Sequence, residues 1–125
     1  MQSKEAKMKQ MVEFKVRTSQ VRWLEQAYMS QNTDAAMAFW NDMCRTKVVR
    51  VNMAQLFWLI GKLEVKADTH NDNQEYADRN SALRFRQKCL KEFNKVAPFS
   101  ENWSLQFDSD EYEAAYEDYT GVDAP

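Results

Sequence analysis

The sequence predicts a mainly α-helical protein, a compact helical domain of four to five helices with up to two short β-strands at residues 12–17 and 47–52. Three observations predict it. Glycine and proline number only two each in 125 residues, against average usage of about 7% and 5%, so the turn punctuation of sandwiches and barrels is missing. Hydrophobic residues make up 44% of the chain, with seven Phe, five Tyr and four Trp, far from the low-hydrophobicity signature of disorder. Apolar residues also recur at helical spacing along most of the chain, the mark of helices with one buried face. A domain of this length buries roughly two-thirds of its unfolded surface, enough for a true core.

From the N-terminus, Val12, Phe14 and Val16 alternate with Glu13, Lys15 and Arg17, the period-2 pattern of a strand with one buried face. The competing reading is a helix over residues 4–15 with Met8, Met11 and Val12 as its stripe. Thr18 or Ser19 can cap a helix to about residue 30, with Trp23, Leu24, Ala27 and Tyr28 inward, because a hydroxyl there accepts from an unpaired N–H of the first turn. Asn32, Thr33 and Asp34 break the chain, and a helix to about Arg45 follows with Ala36, Phe39, Trp40 and Met43 on one face. The β-branched residues 47–52 read as a second strand, after which Asn52 caps a helix from 53 to about 65. Within it, Leu56 to Ile60 is apolar throughout, so a buried strand there is the alternative.

Residues 68–73, Asp-Thr-His-Asn-Asp-Asn, read as a polar loop before a long helix from about 74 to 95. That helix divides in two. Ala82, Phe85, Cys89, Phe93 and Val96 form its apolar face, and Arg84, Lys88, Lys91 and Lys95 form a basic ladder opposite. Pro98 ends it. An irregular stretch then leads to an acidic helix from Ser109 to about Tyr119, closed by Gly121.

Charge divides the chain more sharply than hydropathy does. The net charge is −2, yet residues 1–97 carry 17 Lys+Arg against 11 Asp+Glu, and residues 98–125 carry eight acidic residues with no Lys or Arg. The sequence therefore reads as one domain made of a basic helical body, 1–97, and an acidic, tyrosine-rich segment, 98–125. Such asymmetry bears on partners and solubility. The charged N-terminal decapeptide reads as neither signal peptide nor anchor, and the longest apolar run, Leu56 to Ile60, is far short of a spanning helix. Cys44 and Cys89 lack metal or redox spacing and read as reduced thiols. A cytoplasmic protein is expected, in the host cytoplasm if it is viral, as the compact, Met-rich and Gly-poor character suits.

Catalytic chemistry is thinly supplied. His70 is the only histidine and reads as a solvated loop residue. No Gly-rich phosphate loop, metal-binding His pair or CxxC is present, and the acidic cluster lacks the glycine of a calcium loop. No catalytic residue, cofactor or metal is expected, and the chain is read as a non-enzyme; a small enzyme with an unrecognised site is the third-ranked alternative.

Two surfaces could bind. In the acidic segment, Tyr112, Tyr116 and Tyr119 make an aromatic stripe flanked by Asp110, Glu111, Glu113, Glu117 and Asp118. Such a helix can enter a partner's groove, dock on its own body or imitate the charge of a nucleic acid. The basic ladder could instead contact phosphates.

At an offset of 35, Val16, Gln20, Val21, Trp23 and Leu24 fall on Val51, Gln55, Leu56, Trp58 and Leu59, with Phe14 and Lys15 over Val49 and Arg50. Both stretches read as strand running into helix, an internal echo. The run Glu13-Phe14-Lys15-Val16-Arg17, then Thr18-Ser19 and two predicted helices to Arg45, resembles a ribbon-helix-helix DNA-binding unit. In that family strands from two copies pair antiparallel and their outward side chains read the major groove. The resemblance implies that Glu13, Lys15 and Arg17 face DNA, with Arg50 and Asn52 added by the echo. Gln31, Asn32 and Thr33 stand where the family usually has a glycine. The leading expectation is a binding or regulatory protein acting through protein contacts, such as a small phage-type inhibitor or adaptor, its partner another protein and its surface the acidic segment. The alternative is a DNA-binding regulator using Lys15, Arg17, Arg50, Arg84, Lys88, Lys91 and Lys95.

Overall fold

A computed structural model describes residues 9–28 and 41–101 of the chain. It is mainly helical with a two-stranded antiparallel sheet. In chain order β1 spans Met11–Lys15, α1 Thr18–Tyr28, β2 Val48–Asn52, α2 Met53–Asp72 and α3 Tyr76–Asn94, and residues 41–46 are helical. The acidic segment beyond residue 101, the stripe Tyr112, Tyr116 and Tyr119, and the Ala36, Phe39 and Trp40 face lie outside the described residues.

The strand reading of the first segment holds. Val12, Phe14 and Val16 are buried while Met11, Glu13, Lys15 and Arg17 are exposed, as a pleat with one wet face requires. β1 pairs with β2 in a register of Met11 with Asn52, Val12 with Val51, Glu13 with Arg50, Phe14 with Val49 and Lys15 with Val48. Val49 and Val51 therefore join Val12 and Phe14 on the inner face, all at most 8% exposed.

α2 and α3 pack against the strands, and α2 with α3 is the main packing pair. The core joins Trp23, Leu24 and Ala27 of α1, Met43 of the helical segment 41–46, Leu56, Leu59, Ile60 and Leu63 of α2, and Phe85, Cys89 and Phe93 of α3. The predicted α3 face is confirmed, with Val96 packed at its edge.

Two of the expected boundaries need correction. Residues 68–73 are not a loop: α2 continues to Asp72, because Ala67 is buried and His70 lies edge-on to Trp23 at 5.4 Å between ring centroids. The helix stops in a Schellman turn, with the Gln74 N–H donating to the Asn71 carbonyl at 3.0 Å and the Glu75 N–H to the His70 carbonyl at 2.8 Å. Gln74 takes the left-handed φ of 61° that this turn needs, where glycine is usual. The hydroxyl cap expected for α1 is also replaced. The Gln20 Oε1 accepts from the Arg17 N–H at 2.9 Å, which satisfies a backbone donor at the helix entrance from inside the helix.

Beyond α3, the Asn94 Oδ1 accepts from the Phe99 N–H at 2.8 Å. Phe99 then lies 5.2 Å from Phe57 and 5.5 Å from Phe93 between ring centroids. Glu101 pairs with Arg86, whose guanidinium also reaches Glu64 and the Ile60 carbonyl. The first residues after Pro98 are thus laid on the body. No described helix is long and apolar enough to cross a membrane.

Candidate nucleic-acid interface

The two strands and the helices they feed repeat one another. Phe14 lies opposite Val49, and Val49 is 35 positions after Phe14, the offset of the sequence echo. In an antiparallel pair, equivalent residues face each other only at a local twofold axis. That axis passes between Phe14 and Val49. The helix starts keep the same offset, α1 at Thr18 and α2 at Met53, again 35 apart. Each start uses the same two positions for its cap. In the first unit the Gln20 side chain accepts from the Arg17 N–H; in the second the Asn52 Oδ1 accepts from the Gln55 N–H at 3.0 Å. These are the two halves of a capping box, one in each unit.

The outer face of the ribbon carries Met11, Glu13, Lys15 and Arg17 from the first unit and Arg50 from the second, all exposed, with Val48 half-buried. The local twofold makes Lys15 and Arg50 equivalents on either side of the axis. Glu13 sits directly opposite Arg50, an arrangement that favours opposite charges. Lys47 adds a cation at the Lys15 and Arg17 end. It takes φ of 56°, donates its N–H to Met43 and accepts from the Val16 N–H, each at 2.9 Å. The preceding helix is therefore closed by a left-handed residue that is also the last rung of the ribbon. Sequence reading placed Lys47 inside a strand and so missed its role at this basic corner.

One expected reader is displaced. Asn52 is not on the outer face but 2% exposed, because its side chain is committed to capping α2. The basic ladder runs along α3 to its C-cap residue Lys95, with Arg84, Lys91 and Lys95 exposed and Lys88 half-buried. Lys95 is engaged by Glu92 at 2.9 Å. Lys15, Arg17 and Arg50 share the ribbon, and the ladder is a separate row on another element.

A third cluster was not foreseen. His70, Glu75 and Asp78 bring their ligand atoms within 4.8 Å of one another at the α2–α3 turn. A His with two carboxylates is a donor set suited to a divalent cation. Asp78, however, already pairs with Arg22, whose guanidinium lies 4.2 Å from the Trp23 ring centroid, and His70 Nδ1 is 3.3 Å from Glu75 Oε1. With Trp23 Nε1 donating to Ser81 Oγ at 3.0 Å, the cluster clasps α1 to the helical hairpin. His70 is thus a half-buried packing residue and not the solvated loop residue expected. The Schellman turn sets its spacing to Glu75, a signal hidden in a polar stretch.

Neither cysteine has the setting of a nucleophile. Burial pushes the Cys89 thiol far above its ordinary range; desolvation, then the charge of Glu25, raises Cys44. Both shifts suppress the reactive thiolate.

No family model, no curated protein and no solved structure matches this chain.

Proposed function

We propose that this is a non-enzymatic DNA-binding protein that lays its two-stranded ribbon in the major groove. The observation that carries the reading is the exposed face of the ribbon, where Lys15 and Arg50 flank a local twofold axis and Arg17 and Lys47 extend the positive charge. A two-stranded ribbon fits the width of the major groove, and Lys or Arg pairs with guanine edges there. Beside this face, the first turn of α1 is exposed and holds no acidic residue, so its N–H groups are compatible with a backbone phosphate. The acidic residues 102–125 account for the low overall pI and compete with DNA for the basic body. The reading of that segment as a protein-binding surface rests on residues outside those described.

Fluorescence anisotropy with a labelled random-sequence duplex tests the reading. Four neutralised phosphates, one each for Lys15, Arg17, Lys47 and Arg50, give a salt slope near −3.6, so affinity falls roughly 150-fold between 50 and 200 mM salt. Lys15→Ala with Arg50→Ala removes the binding with the fold intact by circular dichroism, whereas Lys62→Ala with Lys66→Ala on α2 does not. Neutralising the segment with Asp110→Asn, Glu111→Gln, Glu113→Gln, Glu117→Gln and Asp118→Asn strengthens it. No binding at 50 mM salt, with a protein recovered instead in a nuclease-treated pull-down, returns the function to protein contacts.

A further inference from the structure

We infer that one copy of this chain forms the complete reading head, and that its target is a DNA duplex site that is not palindromic. The inference rests on the DNA-binding reading and goes beyond it, since it fixes both the stoichiometry and the symmetry of the site.

The stoichiometry follows from what the fold already covers. β1 finds its antiparallel partner in β2 of its own chain, so the ribbon needs no strand from a second copy. The inner face is likewise closed from within: Val12, Phe14, Val16, Val49 and Val51 are at most 8% exposed beneath the chain's own helices. Among the described residues the exposed large hydrophobics are Met11, Val65 and Tyr76, on three different elements.

The symmetry follows from the side chains that the local twofold relates. Lys15 and Arg50 preserve a positive charge on both sides of the axis. The next pair does not match, because Glu13 of the first unit corresponds to Val48 of the second. A carboxylate accepts from the cytosine amino group, whereas an apolar side chain meets the thymine methyl. The outermost pair differs as well: Arg17 is exposed and its equivalent, Asn52, is buried in a cap. The helix entrances repeat this difference, since Thr18 and Ser19 are exposed while Met53, Ala54 and Gln55 are buried. An anion can approach the first turn of α1 but not that of α2. A ribbon with one acidic and one apolar half, open to phosphate at one end, reads two different half-sites.

Selection from a random duplex pool, followed by native mass spectrometry on the enriched duplex, tests this. The expected result is a 1:1 complex on a consensus that is not an inverted repeat. Glu13→Ala then relaxes base preference in one half only, by roughly five- to hundredfold at a single position. Replacing one half of the site by the inverted copy of the other weakens binding. Two chains on an inverted repeat, or 1:1 binding to a palindrome or without sequence preference, overturn the inference while leaving DNA binding standing. No duplex retained at low salt overturns both.

Discussion

The first strand–helix unit and the second share a blueprint but not an environment. In β1–α1 the helix entrance is open, and Gln20 is half-buried with its side chain bonded to Arg17. In β2–α2 the entrance is sealed, and the equivalent Gln55 is fully buried with neither Oε1 nor Nε2 hydrogen-bonded. The same positions thus do different work. The first unit presents backbone and charge to solvent; the second sits at the centre of the core, where a polar side chain is costly unless it is paired.

The largest expected effect tests whether the second unit is the structural one. Leu24 and Leu59 are equivalents by the offset and both are 0% exposed. Leu59→Ala, in the helix that packs against both α1 and α3, should cost near the upper end of the ~2–5 kcal/mol range for core truncations, and Leu24→Ala near the lower end. Urea unfolding measures both, and equal losses would erase the distinction.

The caps come next. Asn52→Ala removes a buried cap and should cost about 1–2 kcal/mol. Gln20→Ala removes an exposed bond and should cost about 0.5 kcal/mol. Thermal melts of the two variants give the comparison directly.

Gln55 sharpens it with an opposite sign. Gln55→Met replaces an unpaired buried carboxamide with an apolar side chain of similar length, so stability should rise by about 1 kcal/mol. Gln20→Met should leave it unchanged or lower. A loss at Gln55 would mean that its amide is bonded in solution.

The smallest effect concerns Cys44 of the helical segment 41–46 and Cys89 of α3, each in the helix that follows one of the units. Both thiols have raised pKa values, so the thiolate appears only at higher pH than for a free cysteine. Native alkylation followed by mass spectrometry should label half-buried Cys44 slowly, with a rate that climbs above the ordinary thiol range, and Cys89 only after unfolding. Rapid labelling of Cys89 at neutral pH would contradict its burial.

Much of this architecture can be read from the sequence because its signals are local. Alternation in Val12, Phe14 and Val16, the β-branched run before Asn52, and the stripe from Ala82 to Phe93 each reflect one element with one buried face. The offset of 35 was legible too, but the axis it implies was not, since only the pairing of Phe14 with Val49 reveals it. The cap at Asn52 was legible as well, and that local bond takes the side chain away from the DNA-facing role the resemblance implied. Residues 68–72 were not legible: they are polar and weak helix formers, yet buried Ala67 and the edge-on contact of His70 with Trp23 keep them in α2. There a tertiary contact decides what short-range pattern leaves open.

The pairing of Phe14 with Val49 also orders the way this chain can fold. The α2–α3 hairpin joins segments close in sequence, whereas every rung of the ribbon closes a loop of roughly 35 residues and must offset that entropy before it gains anything. Contacts of such separation slow the search for the native state. The α2–α3 hairpin has the shorter closure, and its Leu59, Leu63, Phe85 and Phe93 belong to the same buried cluster as the ribbon's inner face. Native-state amide exchange checks the consequence: the β1–β2 amides are expected to exchange before those of α2 and α3.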